Sequence, residues 1–119
     1  MKNEKIIRAN FLAWEEKDWD TVRAMLVDEF TFTSPNNDDH INIEEYKKKC
    51  WPATEIIEKF TLEKIIENED EDDAFVLFSC LITNGKIFRE THYFNFLNGK
   101  IRSVEVFFGT GHNFNADVV

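Results

Sequence analysis

The chain is predicted to be a single α+β domain, on three observations. Amphipathic helical patterns fill the first half, period-two alternation rich in aromatic residues fills the second, and Asn-Gly pairs punctuate the alternating part. Helices followed by antiparallel strands gather the helices against one face of a single sheet. Within 119 residues, 43% of them apolar, such a domain builds its core without metals or disulfides.

The helical half comes first. Ile7, Phe11 and Trp14, with Leu12 beside them, fall on one side of a helical wheel and predict a first helix from about Glu4 to Lys17. Asp18 or Asp20 can cap a short second helix with Val22, Met25 and Leu26 inward. Phe30 to Ser34 reads as a short strand stopped at Pro35, and Asn36 to Ile41 as a polar loop. Asn42 and Glu45 have capping-box spacing, so a third helix is expected to start there and run to about Cys50. Pro52 ends or kinks it, with a further turn or two through Ile57.

Four strands are expected after that: Phe60 to Glu67, Ala74 to Thr83, Lys86 to Leu97 and Lys100 to Phe108. Asn84-Gly85 and Asn98-Gly99 have the composition of type I′ hairpin turns, in which both residues take positive φ. Alternation places Phe88, Glu90, His92, Phe94 and Phe96 on one face, with Val104, Val106 and Phe108 inward beside them. Glu90 and His92 are the exceptions on that phenylalanine face. Unpartnered burial costs roughly 2–7 kcal/mol for a polar group, so they must pair, meet water in a cavity, or lie beyond the covering helices. The opposite face carries Arg89, Tyr93, Glu105 and Phe107, too aromatic for plain solvent, and suits a homodimer interface.

Composition narrows the function classes. The formal charge of −9, from 23 acidic against 14 basic side chains, argues against nucleic acid as a partner. Lys47, Lys48 and Lys49 form the one basic run, and Glu44, Glu45 and Glu55 surround it. The acidic run Glu67 to Asp73 lacks the glycine and ligand alternation of a calcium loop and reads as a solvated hairpin turn. Cys50 and Cys80 sit among apolar neighbours without C-x-x-C spacing and are expected to be buried thiols. No metal is expected, because no paired-histidine spacing is present. The N-terminus shows no apolar signal segment and no stretch is long enough to span a bilayer, so no membrane partner and a cytoplasmic location are the expectations.

Three strings carry a family resemblance: Asp18-Trp-Asp-Thr-Val-Arg-Ala-Met-Leu, Phe30-Thr-Phe-Thr-Ser-Pro, and Phe94-Asn-Phe-Leu-Asn-Gly-Lys-Ile-Arg-Ser-Val-Glu-Val-Phe-Phe-Gly. Together, over about Glu4 to Gly109, they resemble the SnoaL-like branch of the nuclear transport factor 2 superfamily. The resemblance implies a cone-shaped, cystatin-like roll, with one domain over 1–119 and a polar tail over 110–119 in which Phe114 alone is a candidate for packing. The scaffold hosts isomerases, dehydratases, cyclases, hydrolases and non-catalytic proteins, so it implies no single activity.

Ketosteroid isomerase, in the same superfamily, uses an aspartate base just before a proline after the first strand. Ser34 stands there, ahead of Pro35, and a neutral hydroxyl does not replace a carboxylate base. The family's oxyanion-donating acid precedes an aromatic-aromatic-x-aromatic run, and His92, ahead of Tyr93-Phe94-Asn95-Phe96, holds that position. The oxyanion tyrosine has no counterpart, Trp14 being the nearest candidate, so ketosteroid isomerisation is not expected.

Two function classes remain. One is a small-molecule-binding protein whose cone holds a planar or apolar ligand between Trp14, Phe94, Val104, Val106 and Phe108, with His92, Glu90 and Ser34 as polar contacts. If catalytic, it is a cofactor-free isomerase, dehydratase or cyclase acting by proton transfer, with His92, Asp39 and His40 the catalytic candidates and Asp38 an alternative acid. The plain alternative for Asn36 to His40 is a polar surface turn. The second class is a non-enzymatic dimeric module that uses its outer surface for protein partners.

Overall fold

The computed structural model describes residues 2–109; the expected tail over 110–119, with Phe114, lies outside them. Its order is α1 (Glu4–Glu15), α2 (Trp19–Ala24), β1 (Leu26–Ser34), β2 (Asp38–Ile41), α3 (Ile43–Cys50), a 3-10 turn (Trp51–Glu55), then β3 (Ile57–Asn68), β4 (Asp73–Ile82), β5 (Ile87–Leu97) and β6 (Lys100–Phe108). The six strands form one sheet ordered β2-β1-β6-β5-β4-β3. β1 and β6 run parallel, and every other neighbouring pair is antiparallel. Register shifts insert extra residues in β1, in β3 and, opposite Asn95/Phe96, at Arg102 of β6; they bend the strands, and the sheet curves around the helices.

Local chemistry sets the helix limits. α1 ends at Glu15 rather than Lys17, because Lys17 turns to φ 58° and the Asp18 amide donates to the Ala13 carbonyl at 2.9 Å. Ile7 and Phe11 are buried as expected, but Leu12, about 100° round the wheel from Phe11, is 52% exposed. Asp18 caps α2 by accepting from the amide and hydroxyl of Thr21, at 3.2 and 2.6 Å. Asn42 caps α3 through the Glu45 amide at 3.0 Å. Pro52 falls in the first turn of the 3-10 segment, where its missing N–H is harmless.

Four expectations need correction. Leu26 does not face in from α2; it opens β1 and is 1% exposed. The expected loop after Pro35 contains β2, a four-residue polar edge strand that only β1 pairs. β3 starts at Ile57, the residue expected to end a helical turn, and not at Phe60. Asn98 and Gly99 both have positive φ, 53° and 79°, but at Asn84-Gly85 only Gly85 does, at 87°. There the Gly85 amide donates to the Ile82 carbonyl in a longer loop, and the Asn84 side chain takes the Lys86 amide at 2.8 Å.

The core lies between the concave sheet face and α1, α2 and α3. Phe30, Phe78, Phe94, Ile7, Leu26 and Ile101 are its largest fully buried side chains. On the other face Phe75 and Phe107 are each 46% exposed, and Phe75 stacks on Tyr93 with centroids 4.6 Å apart. Tyr93 donates to Asp73 at 2.6 Å, which raises its phenol pKa above the ordinary value. No helix among the described residues is long and apolar enough to cross a membrane.

Candidate functional site

The core is not filled solid. A cavity of about 380 Å³ opens between the concave sheet and the helices. Phe11 and Trp14 of α1 form one wall and Tyr46 of α3 another. The sheet contributes Phe32, Phe60, Phe78, Phe94, Val104, Val106 and Phe108. Rings interlock behind this lining: Phe11 meets Phe78 edge-on at 4.7 Å, and Trp14 lies 4.6 Å from Trp51. A pocket of this size with few polar groups is the usual form of a small-ligand site.

Two polar pairs break the apolar lining. On β5, Glu90 and His92 share the concave face because they are two residues apart. His92 Nε2 lies 3.0 Å from Glu90 Oε1, with the two side chains 20% and 11% exposed. Cross-strand, Glu90 faces Phe78 and Phe108, and His92 faces Val76 and Val106. The His92 ring stands edge-on to Phe78 at 4.7 Å, which holds its plane. The pairing is one of the outcomes the sequence required for two polar groups on that face.

The second pair comes from β2 and α3. Ser34 is the cross-strand partner of Asp38, so both side chains point to the same side of the hairpin. Ser34 Oγ donates to Asp38 Oδ2 at 2.7 Å, and Lys49 Nζ donates to Asp38 Oδ1 at 2.6 Å. Asp38 is 6% exposed, whereas the Lys49 side chain is 43% exposed. Burial alone would raise the Asp38 carboxyl pKa, but the hydrogen bonds from Lys49 and Ser34 and the nearby ammonium hold it below its ordinary value. The bond to Asp38 raises the Lys49 pKa in turn, so the ammonium stays charged. On α3, Tyr46, Lys49 and Cys50 reach the cavity together because they are spaced i, i+3, i+4.

Trp14, Ser34, Glu90, His92, Phe94, Val104, Val106 and Phe108 therefore all line one cavity. Asp39 and His40 do not. Asp39 follows Asp38 on the strand and points to the opposite side, and His40, at φ 54°, turns out of the strand's alternation. Their side chains are 90% and 72% exposed and pair with each other at 2.7 Å. The acid this segment supplies to the cavity is Asp38. Sequence reasoning did not find Lys49 or Tyr46 as lining residues, although the helical spacing of Tyr46, Lys49 and Cys50 was a readable signal. Burial pushes the Cys50 thiol up to about 12. Among the described residues no group of three or more His, Cys, Asp or Glu side chains is arranged to hold a metal ion.

No family model matches the chain, and no curated protein does. Solved structures do. A nuclear transport factor 2-like protein of unknown function from Burkholderia pseudomallei superposes with a TM-score of 0.75 at 19% identity, over 97% of this chain and 96% of its own. A protein of unknown function with a cystatin-like fold from Methylobium petroleophilum gives a TM-score of 0.79 at 19% identity, over 92% and 76%. A putative polyketide cyclase from Pseudomonas putida gives 0.73 at 15% identity, over 92% and 93%. At these identities the likeness is one of fold: the chain has the nuclear transport factor 2-like, cystatin-like α+β architecture.

Proposed function

We propose that the chain is a small-molecule-binding protein whose cone takes a small planar or apolar ligand, and that it acts on that ligand by cofactor-free proton transfer. The observation that carries this reading is the aromatic-lined cavity of about 380 Å³ with a histidine–carboxylate pair on its wall. With His92 Nε2–H donating to the Glu90 carboxylate, Nδ1 is the nitrogen that accepts a proton, and Glu90 stabilises the imidazolium that forms. The apolar surroundings strengthen that ion pair relative to water. The putative polyketide cyclase among the structural neighbours supports an isomerase, lyase or cyclase class, since such reactions move protons on carbonyl compounds. We further propose a homodimer through the outer sheet face, with Arg89, Tyr93, Glu105 and Phe107 in its interface, supported by the exposure of Phe75 and Phe107.

Two measurements test the pocket and the chemistry separately. Naphthalene titrated into the protein is expected to change tryptophan fluorescence saturably, because Trp14 lines the cavity and Trp51 packs against Trp14. Val106→Trp, which fills the cavity, is expected to abolish that response while keeping the fold. Absence of saturable binding, or equal binding by V106W, would sink the pocket reading. For the chemistry, 2-tetralone in deuterated water is expected to exchange its α-protons faster with the protein than without it, and His92→Gln is expected to remove the acceleration while retaining binding. Equal exchange with H92Q would remove His92 from the reaction.

A further inference from the structure

We infer that Lys49 is the group that holds the ligand's oxygen, which narrows the ligand to a carbonyl compound whose enolate oxygen pairs with the Lys49 ammonium. The inference rests on the pocket reading above and extends it to a wall opposite in character to the Glu90–His92 pair. A lysine ammonium has three N–H groups. Among the described residues Lys49 gives one of them to Asp38, at 2.6 Å, and the side chain is 43% exposed beside the cavity it lines. Asp38 is committed, since its two oxygens take Lys49 and Ser34. Ser34 Oγ is committed as well, donating to Asp38 and accepting from the Asn36 amide at 3.1 Å. Asn10, at the same cavity, turns its amide toward the Met25 sulfur. Tyr46 also lines the cavity, but its hydroxyl is neutral. The cation with donors to offer is therefore Lys49, and Asp38 is the positioning residue that keeps it in place and charged.

The chemistry that fits is enolisation. His92 takes a proton from the carbon next to the ligand's carbonyl, the C–H electron pair becomes the C=C bond, and the carbonyl π pair moves onto oxygen. The resulting enolate oxygen is stabilised by a charge-assisted hydrogen bond from Lys49. The imidazolium returns the proton to carbon, at the same or a conjugated position, so no atom or electron is left over. An oxyanion accepts a stronger hydrogen bond from the Lys49 ammonium than a neutral ligand of the same shape does.

The test uses 4-nitrophenol, whose phenolate mimics an enolate and absorbs differently from the phenol, with 4-nitrotoluene as a neutral counterpart. Binding to the wild-type protein is expected to lower the phenol's pKa by about one unit or more. Lys49→Met is expected to lose that shift, and Lys49→Arg to keep part of it. Because Lys49→Met strands a buried carboxylate, the double variant Asp38→Asn/Lys49→Met removes both charges together and is expected to lose the shift while binding 4-nitrotoluene like the wild type. A shift that persists in the double variant, or an absent shift in wild type while both probes bind, overturns the assignment of Lys49 and leaves the pocket standing. If neither probe binds, the pocket reading falls and this inference with it.

Discussion

Replacing Lys49 by methionine should destabilise the fold in a pH-dependent way. The substitution keeps the aliphatic stem and removes the ammonium that lies 2.6 Å from Asp38 Oδ1. The carboxylate it leaves behind is 6% exposed and retains the Ser34 hydrogen bond. Breaking a fully buried pair from one side costs roughly 3–5 kcal/mol. Here the cation is 43% exposed, so water already screens part of the attraction, and about 2 kcal/mol is expected near pH 7. The sign with pH follows from Asp38. Its folded pKa lies below the ordinary value, so its contribution is present above the unfolded pKa and is lost as pH falls through the folded one. Without Lys49 the burial that raises the carboxyl acts against a single hydrogen bond, and the variant's Asp38 protonates at a higher pH. Wild type and variant should therefore converge as the solution is acidified. Urea unfolding near pH 7 and again near about pH 3.5 reads the difference directly. A penalty below about 0.5 kcal/mol at neutral pH, or one unchanged in acid, would refute the claim that Lys49 neutralises a buried carboxylate.

Phe30→Ala should cost about 3–5 kcal/mol in urea unfolding, because the ring is 1% exposed against Tyr46 at 4.9 Å and lies outside the cavity lining; a cost under about 1 kcal/mol would show a collapsible core there. Gly99→Ala should cost about 1 kcal/mol or more at φ 79° although a Cβ there meets nothing within 4 Å, so the loss is one of backbone conformation, and an unchanged unfolding midpoint would contradict it. Cys50 and Cys80, both pushed up to about 12 by burial, should react with a thiol-specific disulfide reagent at pH 8 more than about a hundredfold slower than free cysteine. Naphthalene in the cavity should slow Cys50 further and leave Cys80 unchanged, and rates near those of free cysteine would show the thiols to be solvated.

The sheet was legible because its alternation is strong. Phe88, Phe94 and Phe96 against Arg89, Tyr93 and Asn95 fix which face is concave, and the same rule brought Glu90 and His92 together on it. β2 was hidden because a four-residue edge strand of Asp, Asp, His and Ile has the composition of a loop; only its pairing with β1 makes it a strand. That pairing then decides the site, since it turns Asp38 toward Ser34 and Asp39 away, a distinction invisible in two adjacent identical residues. Lys49 was hidden for another reason. In a run of three lysines the helical phase decides which one faces inward, and the acid it meets is eleven residues earlier, on β2. Leu12 shows the converse error, an apolar side chain assigned inward by type when its phase on α1 turns it to solvent.

The carboxylate missing at Ser34 is present after all, four residues later, and its surroundings change what it can do. A base needs an oxygen that can receive a proton, and both oxygens of Asp38 already receive hydrogen bonds, one of them from a full positive charge. Those donors lower its proton affinity, so Asp38 is better suited to holding a cation than to abstracting a proton. The proposed roles follow by exchange across the cavity. The wall after β1, where the ketosteroid isomerase pattern places its base, here presents an ammonium donor, and β5, where that pattern places the oxyanion's donor, presents a histidine backed by a carboxylate. A ligand with one carbonyl would then lie with its oxygen toward α3 and its acidic carbon toward β5, the reverse of the orientation which that pattern would impose. On the proposed roles, one hairpin register and one helical phase exchange the places of base and oxyanion donor within the same apolar cone.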